Sequence, residues 1–214
     1  MSERIADHAH PRQVRLSMLG ALRLDMDSQP AELGARGQRA VLARLIAAGG
    51  HVVSTDRLID DLWNGEPPPK ALASLQAHIS NLRRLLEPDR PPRAPARLLV
   101  SEPPGYALRL PREAVDVWEF DDLVTESGST AADRHRRLTQ ALDLWTGEPY
   151  GPYATQAWAV PEVTRLTELR MTALEQRASA ALDLGRPDEV VATLPTLCAD
   201  YPTREELFRL LAHA

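Results

Sequence analysis

A chain of 214 residues with 43% hydrophobic and 26% charged residues is long enough for two modest domains and apolar enough to pack a core. Its single cysteine, Cys198, excludes an intramolecular disulfide framework and a multi-cysteine zinc site, and no run approaches the ~18 apolar residues that a membrane helix needs. The net charge of −5 is unevenly spread: residues 12–111 carry 14 Lys/Arg against 10 Asp/Glu, and residues 112–214 carry 10 against 18. A basic front and an acidic back imply two domains with different partners.

Residues 1–11 are polar, lack the apolar core of a signal peptide and read as a disordered tail, so a cytoplasmic location is expected. From Val14 to Met18 apolar and polar residues alternate, and the alternation resumes at Leu22 and Leu24. Asp27, Ser28, Gln29 and Pro30 are turn residues, after which residues 31–33 return as a short strand. Val41, Leu42, Leu45 and Ile46 then give a helix over residues 36–48, stopped by Gly49 and Gly50. His51, Val52 and Val53 form an extended link. Ser54 caps a second helix carrying Leu58, Ile59, Leu62 and Trp63, which ends at Asn64 and Gly65. The prolines at 67–69 make a stiff loop. A third helix covers residues 70–86, with Leu75, Ile79, Leu82 and Leu86 as its buried stripe. Residues 97–101 and 106–110, on either side of a Pro-Pro-Gly turn, read as a hairpin.

Everything beyond Pro111 has helical spacing. Asp116 is placed to cap a helix through Ser127; further helices are expected over residues 131–145, 161–184 and 188–201, with another from Thr203. The fold class expected is therefore α+β: an N-terminal sheet, three helices and a β-hairpin wing, over residues 12–111. An all-α, repeat-like domain follows over residues 112–214.

The third helix carries the chemistry. Opposite its apolar stripe stand Ser74, Ala77, Asn81 and Arg84, with Lys70, Ser80 and Arg83 beside them. An α-helix fits the major groove of DNA when small residues permit close approach, an amide can reach base edges and cations can meet phosphates.

The segments Arg36-Gly37-Gln38-Arg39-Ala40-Val41-Leu42-Ala43, Val53 to Trp63, and Leu75 to Leu86 resemble the three helices of an OmpR-type DNA-binding domain. Pro103-Pro104-Gly105-Tyr106 resembles its wing turn. With the acidic helical half, the order of motifs resembles the Streptomyces antibiotic regulatory protein family, including its AfsR-like members. The resemblance implies that Ser74, Ala77, Asn81 and Arg84 meet bases, and that His78, Arg83 and the Trp63 indole meet the DNA backbone. Glu102 departs from the pattern, because a wing of this type often carries an arginine there; either the wing tip contributes little, or Arg97 or Arg109 substitutes for it.

Gly185, Asp188, Glu189 and Pro202 fall where a tetratricopeptide repeat puts its inter-helix glycine, second helix start and terminal proline. The resemblance implies a bacterial transcriptional activation domain here, a protein-binding surface in which Trp118, Trp145 and Trp158 are packing residues. The apolar side of the last helix, Leu207, Leu210 and Leu211, suggests a repeat that continues past Ala214, the alternative being that this helix caps the array. No Gly-x-Gly-x-x-Gly, phosphate loop or His-Glu-x-x-His occurs, so neither an enzyme, a cofactor nor a metal is expected.

The function these features suggest is a sequence-specific activator of a secondary-metabolite (antibiotic) biosynthetic cluster. Its expected partners are double-stranded DNA with direct repeats, bound as a head-to-tail homodimer, and RNA polymerase holoenzyme. The resemblance puts the polymerase contact on the loop of Asn64, Gly65, Glu66, Pro67, Pro68 and Pro69. The alternative is a repeat-type adaptor whose winged domain binds protein.

Overall fold

The computed structural model describes residues 12–126 and 128–214. The expected tail of residues 1–11, and Ser127 at the expected end of the fourth helix, lie outside the described residues.

The described chain opens with an antiparallel sheet of β1 (Val14–Ser17), β2 (Arg23–Met26) and β3 (Gln29–Ala31), in which Leu16 faces Leu24 across the ladder. The β2–β3 turn is tighter than its composition suggests. Asp27 and Ser28 alone make it, both at positive φ (51° and 64°), which is the backbone twist that suits a two-residue hairpin. Gln29 and Pro30 are thereby drawn into the strand. Pro30 sits on an edge strand, where its missing N–H costs no ladder bond.

Helix α1 (Arg36–Ala47) stops at Gly49, which is left-handed. The link after it is partly a strand: β4 (Val53–Ser54) pairs with β6 (Gly105–Leu108), which pairs in turn with β5 (Leu99–Glu102). A Cβ on Gly105 would lie 1.8 Å from the Val53 carbonyl oxygen, so this approach requires glycine. Helix α2 (Thr55–Trp63) is capped by Ser54, whose Oγ accepts from the Arg57 N–H, and closed by Asn64 in the left-handed region. Helix α3 (Ala71–Leu86) buries the stripe expected for it. Sheet, three helices and a three-stranded wing make a winged helix-turn-helix.

The back half is helical: α4 (Asp116–Thr125), α5 (Ala131–Asp143), α6 (Val160–Asp183), α7 (Pro187–Asp200) and α8 (Glu205–His213). Thr130 caps α5 through the Asp133 N–H. Gly185 turns α6 into α7 at φ 69°. No described helix is long and apolar enough to cross a membrane.

Asp116 does something other than the capping expected of it. Its helix begins without a side-chain cap from Val115, and the Asp116 carboxylate reaches across to the residues just after β1, accepting from the N–H groups of Met18 (2.7 Å) and Leu19 (2.9 Å). The carbonyls of the same two residues are taken from the other side. Tyr150 N–H donates to Met18 O, and the Thr146 and Gly147 N–H groups donate to Leu19 O. Trp118 adds an indole bond to Ile46 O at 3.0 Å.

One apolar core consequently runs through both halves. Leu16, Met18 and Leu19 pack in the same cluster as Ile46, Leu75, Trp118, Phe120, Leu138, Tyr150 and Leu166. A second, smaller cluster forms where the far end of α6 meets α7 and α8, around Met171, Val190, Leu194, Cys198 and Leu207. Cys198 is buried there as a small apolar residue. Each fully buried aliphatic side chain contributes roughly 1.5–3 kcal/mol, so cutting the chain at Pro111 would open the first core rather than release an intact winged domain.

Burial pushes Asp116 up to about 6, because losing water costs the carboxylate more than its backbone N–H partners return. The folded chain then holds this proton more tightly than the unfolded chain. The stabilisation from that proton is complete below the unfolded carboxylate range and is lost as pH rises through about 6. Unfolding of the parent chain and of Asp116→Asn, followed in urea at pH 4.5 and 7, should show the parent's advantage shrinking by about 1–3 kcal/mol over that interval. A difference that stays constant with pH contradicts the assignment.

Candidate nucleic-acid interface

At 100° per residue, the buried stripe of α3 leaves Ala73, Ala77, Ser80 and Arg84 pointing directly away from the core. All four are exposed, as are Gln76 and Lys70. Ser74 and Asn81 lie on the flank toward α1 and α2 and are half-buried, and His78 is further round on the same side. The outward face is thus centred one residue away from where the 3, 4, 3 spacing puts it. Ala73 and Gln76, absent from the sequence reading, belong to that face; counting four residues back from Ala77 and Ser80 finds both. Leu72 is 48% exposed at the start of the helix.

This face is small, polar and cationic. Arg84 Nη2 donates to the Asn81 Oδ1, which leaves the Asn81 amide N–H groups outward as donors. His78 packs against α1, where a Cβ on Gly37 would stand 2.5 Å from its Nε2. Burial pushes the His78 imidazole down, so at neutral pH it is the uncharged ring with one donor.

Arg83 turns to the wing. Its Nε donates to Leu99 O (2.8 Å), its Nη2 donates to Ser101 Oγ (2.8 Å), and the guanidinium lies 5.8 Å from the centre of the Tyr106 ring. The arginine fixes the hairpin relative to α3. On the wing itself, Glu102 is held by Arg109 at 2.6 Å, while the other arm of Arg109 donates to Gly50 O. The pair neutralises the acid at the wing tip but spends Arg109. Arg97 is exposed; its backbone N–H bonds to the Glu87 carboxylate, and its side chain forms no ion pair with a described residue.

The loop after α2 is exposed from Asn64 and Gly65 through Glu66, Pro67, Pro68 and Pro69. Trp63 is half-buried at its start, and with Asn64 and His78 lines a cleft of about 660 Å³. The far wall of the cleft comes from the acidic half, through Pro152, Tyr153, Gln156 and Trp158. Trp118 is in the core, whereas Trp145 and Trp158 are half-buried. Arg170 lies 4.7 Å over the Trp145 ring, and Trp158 packs against Tyr150 and Tyr153.

Comparison with known proteins matches residues 29–108 to the model of the transcriptional regulatory protein C-terminal domain, and residues 115–214 to that of the bacterial transcriptional activator domain. The chain is 38% identical over 216 residues to the regulatory protein AfsR of Streptomyces coelicolor, covering 96% of this chain and 20% of AfsR. It is 34% identical to the transcriptional regulatory protein MoaR1 of Mycobacterium tuberculosis, covering 92% of this chain and 65% of MoaR1. The solved structure of Mycobacterium tuberculosis EmbR in complex with a low affinity phosphopeptide superposes with a TM-score of 0.84 at 32% identity, covering 94% of this chain and 54% of that one. This chain therefore spans between about one fifth and two thirds of these relatives. With an OmpR-type winged helix in front and a bacterial transcriptional activator domain behind, the chain belongs to the Streptomyces antibiotic regulatory protein (AfsR-like) family.

Proposed function

We propose that this protein is a sequence-specific, double-stranded-DNA-binding transcriptional activator that works in the cytoplasm on the nucleoid. The observation that carries this reading is the outward face of α3, where two alanines and a serine let the helix come close while Arg84, Asn81, Gln76 and Lys70 offer donors. Such a face suits the major groove, in which acceptors on guanine and adenine face an approaching helix. Arg83 and the Arg109–Glu102 pair hold the wing beside it. Trp63, His78 and Arg97 then serve the backbone, where contacts fix register rather than sequence.

Family membership supports the remaining parts of the reading. Two copies sit head to tail on direct repeats, with half-sites about one helical turn apart so that both α3 helices meet the same side of the duplex. The exposed loop of residues 64–69 and the acidic half meet RNA polymerase holoenzyme, and the genes controlled are those of a secondary-metabolite cluster.

Three measurements test this reading. Binding to a site selected from random duplex DNA should weaken steeply with log salt as phosphate counterions are released, and Arg84→Ala should cost about 1–3 kcal/mol of that affinity. Salt-independent binding would instead mark a protein-binding module. Arg83→Ala, which frees the wing, should lower the unfolding free energy in urea by about 1–2 kcal/mol. Arg83→Lys should not restore it, since one ammonium cannot reproduce the planar fork; unchanged stability in Arg83→Ala would refute the wing anchor. Replacing residues 64–69 with a glycine-serine loop of equal length should keep DNA affinity and abolish activated transcription in vitro; persistent activation removes the polymerase contact from this loop.

A further inference from the structure

The cleft between the two halves carries charge that the α3 face does not account for. Arg36 and Arg39, on successive turns of α1, line it together with Trp63, Asn64 and His78. Both arginines are exposed, and neither forms an ion pair with a described residue. Residues three apart share one side of a helix, so the two guanidiniums stand as neighbours. Tyr153, on the wall that the acidic half supplies, lines the same cleft.

The acid lining the cleft is already neutralised. Asp61 is 2.6 Å from the Arg44 Nε and 3.0 Å from the Arg57 Nε, an arginine on either side of one carboxylate. The cleft thus presents two uncompensated cations, an indole N–H donor at Trp63 and an amide at Asn64. Its lining includes the flank of α3 at His78, which touches Gly37 between the two arginines. Cationic, donor-rich and continuous with the candidate groove-reading face, this surface has the chemistry of a backbone track.

We infer that this cleft takes the sugar-phosphate backbone of the strand bordering the groove that α3 enters, with Arg36 and Arg39 each holding a phosphate. The inference rests on the DNA-binding reading above and extends the contact surface beyond the winged helix. Tyr153 and Gln156 come from the acidic half, so that half becomes a wall of the DNA-binding surface. DNA bound here also sets where the acidic helices stand relative to the promoter.

The test compares the parent chain with Arg36→Ala/Arg39→Ala and Arg36→Lys/Arg39→Lys on two duplexes. One is selected from a random pool by the parent chain, and the other is a scrambled duplex of equal length. Loss of two phosphate contacts should lower the slope of log affinity against log salt by about 2 in the alanine pair. Between 50 and 200 mM salt the parent should lose roughly tenfold more affinity than this variant. The change should be equal on both duplexes, because phosphates carry no sequence, and the lysine pair should stay near the parent slope. Arg36→Ala alone, should the pair unfold, is expected to lower the slope by about 1. If the parent binds its selected duplex and the alanine variants keep its slope and affinity, the cleft assignment is overturned and the α3 reading stands. If the parent binds neither duplex, both readings fall.

Discussion

The molecule is organised around one stretch of backbone, Met18 to Gly20, just beyond the first strand. The Met18 and Leu19 N–H groups go to the Asp116 carboxylate, and the carbonyls of the same two residues go to the loop after α5. Gly20 completes the fit, since a Cβ there would stand 2.3 Å from the Thr146 hydroxyl. A carboxylate inside a core is costly unless its lone pairs are used, and here they are used on a segment from the other half of the molecule. The linker between reader and activator is therefore a packed seam and not a hinge. A winged helix and a helical domain that tumbled independently could not share Leu16, Trp118 and Tyr150 in one core.

That seam gives the charge pattern its meaning. In the winged domain the acids nearest the cleft and the wing tip are paired: Asp61 lies between Arg44 and Arg57, and Glu102 is paired with Arg109. Arg84 on α3 and Arg36 and Arg39 on α1 are left without carboxylate partners among the described residues, on surfaces that meet at His78. In the acidic half, half-buried and exposed carboxylates pair with arginines along or between helices, as Glu162 and Asp121 do with Arg165 and as Glu168 and Glu175 do with Arg204. The most exposed of these pairs contribute little stability each. Their main effect is a surface of mixed charge.

Much of this was legible in the sequence, because periodicity and caps are local. The stripe of Leu75, Ile79, Leu82 and Leu86, the Ser54 cap and the glycine stops at 49 and 185 located the helices to within a residue or two at most ends. The features that depend on distant partners leave no local signal. The two-residue strand β4 is too short to show alternation and exists only because β6 lies beside it. The carboxylate of Asp116 looked like a local cap, yet its acceptors are engaged by residues 97 and 98 positions away. Arg83 is indistinguishable from Arg84 in sequence, and its direction is decided by Ser101 and Tyr106 on the wing. The outward centre of α3 was displaced by one residue because spacing alone fixes a period but not its phase.

Hydrogen exchange at the Met18 and Leu19 amides tests the seam most directly. If the two halves are one cooperative body, these amides open only with global unfolding, so their protection should equal that of the slowest amides in α3 and α6. Exchange of Met18 and Leu19 many-fold faster than those helices, with α3 still protected, would show that the reader and the acidic half separate while each stays folded, and would contradict the shared core.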